Sequence, residues 1–245
     1  MRKVIGRKPV LEAINSGEEI DRIMISFGQK GGIIDSILTA AKKNKIKVSQ
    51  LSPRKFKQSE KGLNSQGVIA FINDLNMWDI EALISHAKKK DNPIILILDE
   101  IQDTHNMGAI FRSAEASGVE GVIITQRNTA PLNETVEKTS AGAISHLKIS
   151  QVSNLFQAME LLKENGFWIY GSSLGANSQN YTENSYIGSI AIIVGNEEKG
   201  IRRSVAENCD HLIKIPMMGK TQSLNVSVAT GILLFEVVRQ RAKID

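Results

Sequence analysis

The amino-acid sequence predicts an α/β protein whose larger, carboxyl-terminal part is built on a mainly parallel sheet. Continuous apolar runs such as Ile94–Leu98 and Ile190–Val194 are typical of strands that are buried on both faces. Helical patterns lie between these runs, and this alternation favours crossover connections between parallel strands. At 245 residues the chain is long enough to form two domains.

The first part of the chain, residues 1–75, alternates strands and helices on a smaller scale. Strands are predicted at Ile20–Ser26, Ile46–Leu51 and Gly67–Ile72, and an amphipathic helix at Ile33–Lys43. We therefore expect a small α/β domain here. Residues 76–92 are more polar, and we expect them to form a partly helical linker packed through Trp78.

Residues 93–245 repeat the alternation with more apolar strands. Strands are predicted at Ile94–Leu98, Gly121–Ile124, Trp168–Tyr170, Ile190–Val194 and Leu212–Ile215. Helices are predicted at Gly108–Ser117, Leu132–Ala141, Leu155–Asn165 and Arg202–Glu207, with a last one running through Val238. Asn106 is a candidate N-cap of the first of these helices, and Ser223 or Asn225 of the last.

Charge is distributed unevenly between the two parts. Residues 1–75 hold 14 Lys and Arg against 7 Asp and Glu, a net charge of +7, whereas residues 93–245 hold 13 against 16, a net charge of −3. This pattern favours a front domain that binds a polyanion, although basic residues that only keep a surface soluble would look the same. Aromatic residues are few in the front domain, which favours contact with folded RNA through charge and shape over a broad base-stacking platform.

Several classes of protein are disfavoured by residues that are missing. Cys209 is the only cysteine, so no internal disulfide can form, and the four histidines include no pair at i,i+4 that would indicate a metal site. There is no G-x-G motif for a dinucleotide. Apolar runs are too short to span a membrane and the start lacks a signal-peptide core, so we expect a cytoplasmic protein with no membrane partner.

Three loops that follow predicted strands concentrate the polar residues of a candidate site. The first loop carries Asn106, with Arg112 under two turns into the next helix. The second loop, 195–200, has only the spacing of a phosphate loop. The third loop, 215–225, follows the last strand and contains Gly219. Each fits an ordinary strand-to-helix connection, but α/β sheets bind ligands where such loops meet.

Together the three loops resemble the three sequence motifs of SpoU/TrmH-type RNA ribose 2′-O-methyltransferases. The matching segments are N-x-G-x-x-x-R-S-A from Asn106, V-G-N-E-x-x-G from Val194 and I-P-M-x-G-x-x-x-S-L-N-V-S-V-A from Ile215. V-I-G-R-x-P-V-L-E-A from Val4 and the segment Ser65–Val68 are similar to the L30e-like RNA-binding domain of the same family. The resemblance covers essentially the whole chain and is strongest to bacterial enzymes that methylate a guanosine in the peptidyl-transferase P loop of 23S rRNA.

The resemblance implies a SPOUT α/β-knot, a deep trefoil knot with a mainly parallel sheet, in residues 93–245, and an L30e-like domain in residues 1–75. It also implies S-adenosylmethionine (AdoMet) as the methyl donor, RNA as substrate, a homodimer with a shared site, and no metal. The residues that match the donor-binding positions of the family are Gly195, Ile215 and Leu224. Those that match its catalytic positions are Asn106, Arg112, Glu197, Ser223 and Asn225.

Roles for the catalytic residues follow from the chemistry that the resemblance implies. A guanidinium stays protonated, so we expect Arg112 to grip the target phosphate and stabilise the developing alkoxide, while a phosphate oxygen or water takes the proton. Asn106 would orient Arg112, Glu197 would hold the arginine or the ribose, and Ser223 and Asn225 would order the loop and the substrate.

Two alternatives remain open in the sequence. The catalytic motifs are shared with enzymes that methylate tRNA or another rRNA site, so the target is not fixed by them. A non-catalytic RNA-binding factor of ribosome assembly that keeps the fold is the alternative from another class. The intact set of motif residues argues against it.

Overall fold

The computed structural model describes residues 2–18, 20–60, 65–72, 77–175 and 177–242. The chain divides into two compact units, Met1–Leu75 and Asn76–Asp245.

The first unit is a small α/β domain. Its elements are β1 (Arg2–Ile5), α1 (Arg7–Asn15), β2 (Ile20–Ser26), α2 (Gly32–Lys43), β3 (Lys47–Leu51), α3 (Pro53–Glu60) and β4 (Val68–Ile72). The sheet has the order β1-β4-β2-β3, with β4 antiparallel to β1 and β2, and β3 parallel to β2. The three predicted strands and the predicted helix are confirmed. In addition the structure forms β1, α1 and α3.

The second unit contains a seven-stranded sheet. Its helices are α4 (Ile80–Ala87), α5 (Thr104–Ala116), α6 (Glu134–Thr139), α7 (Leu155–Glu164), α8 (Arg203–Ala206) and α9 (Val226–Arg241). Its strands are β5 (Ile94–Asp99), β6 (Gly121–Thr125), β7 (Ile149–Val152), β8 (Trp168–Ser172), β9 (Gln179–Asn180), β10 (Ile190–Gly195) and β11 (His211–Lys214). The order is β7-β6-β5-β10-β8-β11-β9, and each neighbouring pair is parallel. The predicted α/β class with a mainly parallel sheet is confirmed; threading of the chain through a knot stays a prediction.

The two central strands are apolar because both of their faces are covered. Every residue of β5 and of β10 is buried, as expected for a parallel sheet with helices on both sides. The segment that we expected to be a linker contributes to the same core. Leu83, Ile84 and Ala87 of α4 are buried there, and Trp78 packs against them.

Two details of the sequence prediction are corrected by the structure. The N-cap of α5 is Asp103, whose carboxylate accepts a hydrogen bond of 2.7 Å from the backbone N–H of Asn106, so Asn106 lies inside the helix and is not its cap. Strands β7 and β9 were not predicted, because one is short and half polar and the other has two residues. The N-cap of α9 is Asn225, one of the two residues predicted for it.

The sheet brings the three motif loops to one edge. Gly195, the last residue of β10, lies beside Asp99, the last residue of β5. Strands β8 and β11 run parallel to β10 on its other side, so Ser172 and Lys214 end at the same edge. The carboxyl ends of parallel strands are the ligand-binding edge of such sheets.

Candidate functional site

Gly195 ends β10 where two segments of backbone touch. A Cβ placed on Gly195 would lie 2.2 Å from the carbonyl carbon of Gly200 and 2.2 Å from the amide nitrogen of Ile201. Optimal contact between carbon atoms requires about 3.5–4.0 Å, so only glycine fits at this position. The loop that follows closes on itself, with the N–H of Gly200 donating to the carbonyl of Asn196 at 2.9 Å.

The other end of this loop is fixed by Asp99, which is not among the site residues predicted from the sequence. The Asp99 carboxylate is fully buried and accepts hydrogen bonds from the Arg202 N–H at 3.1 Å and from its Nε at 2.9 Å. Arg202 Nη2 approaches the same carboxylate to 2.6 Å. This hydrogen bonding raises the pKa of Arg202 above its ordinary value. The loop between Gly195 and Arg202 is therefore held at both ends.

A cavity of about 210 Å³ lies at this edge of the sheet. It brings together the three residues predicted to bind the donor, Gly195, Ile215 and Leu224, and two of those predicted to be catalytic, Glu197 and Ser223. Apolar side chains such as Val194, Met217 and Val226 form part of its wall. The wall is thus a mixture of apolar side chains and loop backbone.

The loop that closes one side of this cavity has free polar groups. Residues 216–224 make no hydrogen bond to any other residue that the structure describes. Ser223 and Leu224 are exposed although they line the cavity. Most of these residues are exposed, so their backbone N–H and C=O groups face water and are available to a ligand in the cavity.

A chain of hydrogen bonds joins the three motifs. Glu197 Oε1 accepts from Asn106 Nδ2 at 3.2 Å, and Asn106 Oδ1 accepts from Asn225 Nδ2 at 2.9 Å. Asn225 Oδ1 accepts from the N–H of Ser227 at 2.9 Å and so caps α9. Asn106 of the first motif therefore links Glu197 of the second motif to Asn225 of the third.

The Glu197 carboxylate has further donors. The backbone N–H groups of Gln102 and Asp103 donate to its Oε2 and Oε1 at 3.4 and 3.2 Å, and Asn196 Nδ2 donates to Oε2 at 3.4 Å. Glu197 is therefore arranged as an acceptor that holds the start of α5.

Arg112 lies apart from this network. Its side chain is exposed on α5, it does not line the cavity, and no described residue forms a hydrogen bond or ion pair with its guanidinium. The contact expected between Asn106 and Arg112 is not made within the chain, because the Asn106 amide binds Glu197 and Asn225 instead. One chain thus supplies a cavity and a positioning network, and presents its arginine elsewhere.

In the part of the chain that the structure describes, no cluster of three or more His, Cys, Asp or Glu side chains could hold a metal ion. Within the same residues, no helix is long and apolar enough to cross a membrane.

Comparison with known families matches both parts of the chain. Residues 93–235 match the model of the SpoU rRNA Methylase family, and residues 3–78 match the model described as RNA 2′-O ribose methyltransferase substrate binding. A protein of Staphylococcus saprophyticus that is assigned to the TrmH family of tRNA/rRNA methyltransferases is 42% identical over 242 residues, 97% of this chain and 95% of the relative.

Solved structures share the architecture. An AdoMet-bound rRNA methyltransferase from Sinorhizobium meliloti superposes with a TM-score of 0.66 at 23% identity, over 98% of this chain and 88% of that chain. A TrmH/SpoU tRNA modifying enzyme from A. aeolicus has a TM-score of 0.58 at 35% identity, over 66% of this chain and 82% of its own. The family resemblance seen in the three motifs is confirmed: the chain belongs to the SpoU/TrmH family of RNA methyltransferases.

Proposed function

We propose that this chain transfers a methyl group from AdoMet to a ribose 2′-hydroxyl of RNA, and that its target is a guanosine in the peptidyl-transferase P loop of 23S rRNA. The observation that carries the proposal is the cavity lined by Gly195, Ile215 and Leu224, which is coupled to the hydrogen-bonded network of Glu197, Asn106 and Asn225.

The residues at the cavity fit AdoMet. The apolar wall, which includes Leu224 and Ile215, suits the face of an adenine ring, and the free backbone groups of residues 216–224 suit its polar edge. Gly195 allows the cavity floor to be formed by backbone alone. When bound, AdoMet supplies an electrophilic methyl group on a sulfonium. The S. meliloti structure, which shares this fold, contains AdoMet and supports the assignment.

The acceptor hydroxyl requires a cation beside it, and Arg112 is the proposed cation. A ribose 2′-hydroxyl is a weak nucleophile, so charge that develops on its oxygen must be stabilised. A guanidinium can bind a phosphate and the oxygen with its planar fork, whereas it cannot serve as a base. A phosphate oxygen of the RNA or a water molecule takes the proton.

Glu197, Asn106 and Asn225 act as positioning residues in this proposal. Their hydrogen bonds link the start of α5, the loop after β10 and the start of α9. Ser223 lies exposed beside the cavity and is available to contact the ribose. Errors in placement of reacting atoms cost rate steeply, so the loss of any of these bonds is expected to slow catalysis.

A homodimer completes the proposed site. Arg112 is exposed and does not line the cavity of its own chain, so we place Arg112 of the partner subunit against the cavity. Helix α9 offers a surface for such an association, because Val228 and Phe235 are exposed at 51% and 48% and lie seven residues apart on one face. An apolar stripe of this kind on a helix that packs against α5 suits a protein interface.

Ribosomal RNA is favoured over tRNA by the extent of the chain that is shared. The rRNA methyltransferase of S. meliloti matches 98% of this chain, and the A. aeolicus tRNA modifying enzyme matches 66%. The family model for substrate binding matches residues 3–78, which carry most of the excess positive charge. We place the protein in the cytoplasm.

The proposal is tested by mixing subunits. Arg112→Lys is expected to keep AdoMet binding, measured by calorimetry, and to lower the methylation rate about a hundredfold, because lysine keeps the charge and loses the planar fork. Leu224→Glu is expected to lose AdoMet binding, because a charged carboxylate then replaces an apolar side chain that lines the cavity.

Mixed dimers of these two inactive chains contain one intact cavity faced by an intact arginine, so mixing is expected to restore part of the activity. A wild-type rate for Arg112→Lys would contradict the proposed role of the arginine. Absence of rescue on mixing would contradict a site shared between subunits. A wild-type protein that binds RNA without binding AdoMet would instead be a non-catalytic factor.

A further inference from the structure

The first unit has an edge where an aromatic side chain stands in solvent among basic residues. Strands β1, β2 and β3 end there, as shown by the pairing of Ile5 with Ile69, Ile25 with Val68, and Ser26 with Leu51. Phe27 is the first residue after β2. Its side chain is 69% exposed, and no aromatic or cation–π partner for its ring is found among the described residues.

The backbone around Phe27 is firmly held, so its exposure is a property of the fold. The Phe27 N–H donates to the carbonyl of Leu51 at 2.7 Å, and the Gln29 N–H donates to the carbonyl of Ser26 at 3.3 Å. Arg7 Nη2 donates to Gln29 Oε1, and Arg7 Nε donates to the carbonyl of Gln66 at 3.1 Å. The loop is thus fastened to its neighbours on both sides while the ring points outward.

The charge at this edge is positive. Arg7 and Lys8 open α1, Lys30 precedes α2, and Arg54 and Lys55 open α3. The carboxylates close to the edge in the described residues are Asp35, in the first turn of α2, and Glu60, which accepts hydrogen bonds from Ser65. The opposite edge is mixed in sign, because β2 begins there with Asp21, while α2 ends there with Lys42 and Lys43 and β3 begins there with Lys47. The edge that carries Phe27, which we call the basic edge, is the better match for a polyanion.

We propose that the basic edge binds the RNA substrate at an unpaired nucleotide, whose base stacks on Phe27 while the neighbouring phosphates are held by Arg7, Lys30 and Arg54. Aromatic side chains stack on unpaired bases in RNA recognition, whereas paired bases in a helix are not accessible to them. A single ring, unlike a broad platform, fixes one base and so sets the register of the RNA. The proposal deepens the proposed function, because it assumes an RNA substrate, and does not depend on the donor or on the methylated position.

The test compares three forms of the full-length protein: wild type, Phe27→Leu and Phe27→Trp. The probes are a pool of RNA hairpins with one stem and randomised seven-nucleotide loops, and a blunt duplex of the same stem. Binding is measured without AdoMet, so that failure here is distinct from failure of methyl transfer. Because Phe27 is exposed, neither substitution is expected to unfold the protein, which a melting curve verifies.

Leucine keeps an apolar side chain and removes the ring, whereas tryptophan keeps a ring. We expect Phe27→Leu to weaken binding of the hairpin pool by at least about fivefold, Phe27→Trp to bind it like the wild type, and all three to bind the duplex equally. Equal hairpin binding by all three forms would assign Phe27 to a protein contact and overturn the proposal. A wild type that binds the hairpin pool no more tightly than the duplex would also overturn the proposal.

A matched pair of lysine variants tests the edge itself. Lys30 lies at the basic edge, and Lys43 lies in the last turn of α2, at the opposite end of that helix. We expect Lys30→Ala to weaken binding to the hairpin pool and to reduce its salt dependence more than Lys43→Ala does. Equal losses, or a greater loss for Lys43→Ala, would contradict the placement of the RNA.

Discussion

The geometry of Gly195 makes the replacement Gly195→Ala a sharp test of the candidate site. The new Cβ would stand 2.2–2.3 Å from three backbone atoms of Gly200 and Ile201, so these atoms must move by more than about 1 Å to reach ordinary contact. They are not free to move, because the Gly200 N–H is bonded to Asn196 and the Arg202 N–H to the buried Asp99.

The expected cost combines overpacking with the hydrogen bonds that must lengthen. Overpacking of a well-packed site costs about 1–3 kcal/mol, and each lost hydrogen bond about 1 kcal/mol more. We therefore expect a loss of about 3 kcal/mol in the free energy of unfolding of the second unit. For a domain of this size that corresponds to a fall in Tm of about 6–12 °C. We also expect AdoMet binding to be lost, because the backbone that moves forms a wall of the cavity.

The assays are a melting curve and calorimetric titration with AdoMet, with Gly219→Ala as the control. Gly219 lies in the third motif loop, but a Cβ there meets no atom within 4 Å, so this change should alter stability by no more than about 0.5 kcal/mol. If Gly195→Ala has the melting temperature and the AdoMet affinity of the wild type, the close approach of Gly195 to the backbone of Gly200 and Ile201 does not maintain the cavity. Equal losses in both variants would show a general sensitivity of the loops to added bulk.

Three further predictions concern other parts of the chain. Asp99→Asn should lower the free energy of unfolding by about 2–3 kcal/mol in a denaturant titration, because the fully buried carboxylate that binds Arg202 is lost. Glu207→Gln, in the exposed pair with Arg203, should lower it by less than about 0.5 kcal/mol, and equal losses would contradict the anchoring role of Asp99. Deletion of residues 1–75 should flatten the dependence of RNA affinity on salt, because that part carries a net charge of +7, and an unchanged slope would place the RNA contacts elsewhere. Burial raises the pKa of Cys209 to about 12, so its thiol should stay protonated and unreactive towards alkylating reagents at pH 8–9 until the protein unfolds, and rapid labelling of the folded protein would refute this.

The parts of the fold that were predicted are those with a strong local signal. Strands β5 and β10 are continuous apolar runs because the sheet covers both faces, and such runs are visible in the sequence. Strand β7 was missed because two of its four residues are polar, and its pairing with β6 identifies it as a strand. Local pattern therefore predicts the centre of the sheet better than its margins.

Within the site, the motif residues were found through their resemblance to a family, and their supports were not. Asp99 and Arg202 are separated by 103 positions in the sequence, and no local pattern reveals that such residues pair. The start of α5 was misplaced because Thr104, His105 and Asn106 carry no apolar periodicity, and the cap at Asp103 alone sets it. The network from Glu197 through Asn106 to Asn225 likewise depends on tertiary contacts. The roles of these residues in donor binding and catalysis stay predictions.

The most direct test of the account is to follow a labelled methyl group from AdoMet into RNA. The protein would be incubated with 23S rRNA that lacks modifications, and the product digested to nucleosides and separated by chromatography with mass detection. The account predicts label in 2′-O-methylguanosine, mapped to the peptidyl-transferase P loop, and its loss with Arg112→Lys. Label on a base, or no transfer by a wild-type protein that binds both AdoMet and the RNA, would contradict it.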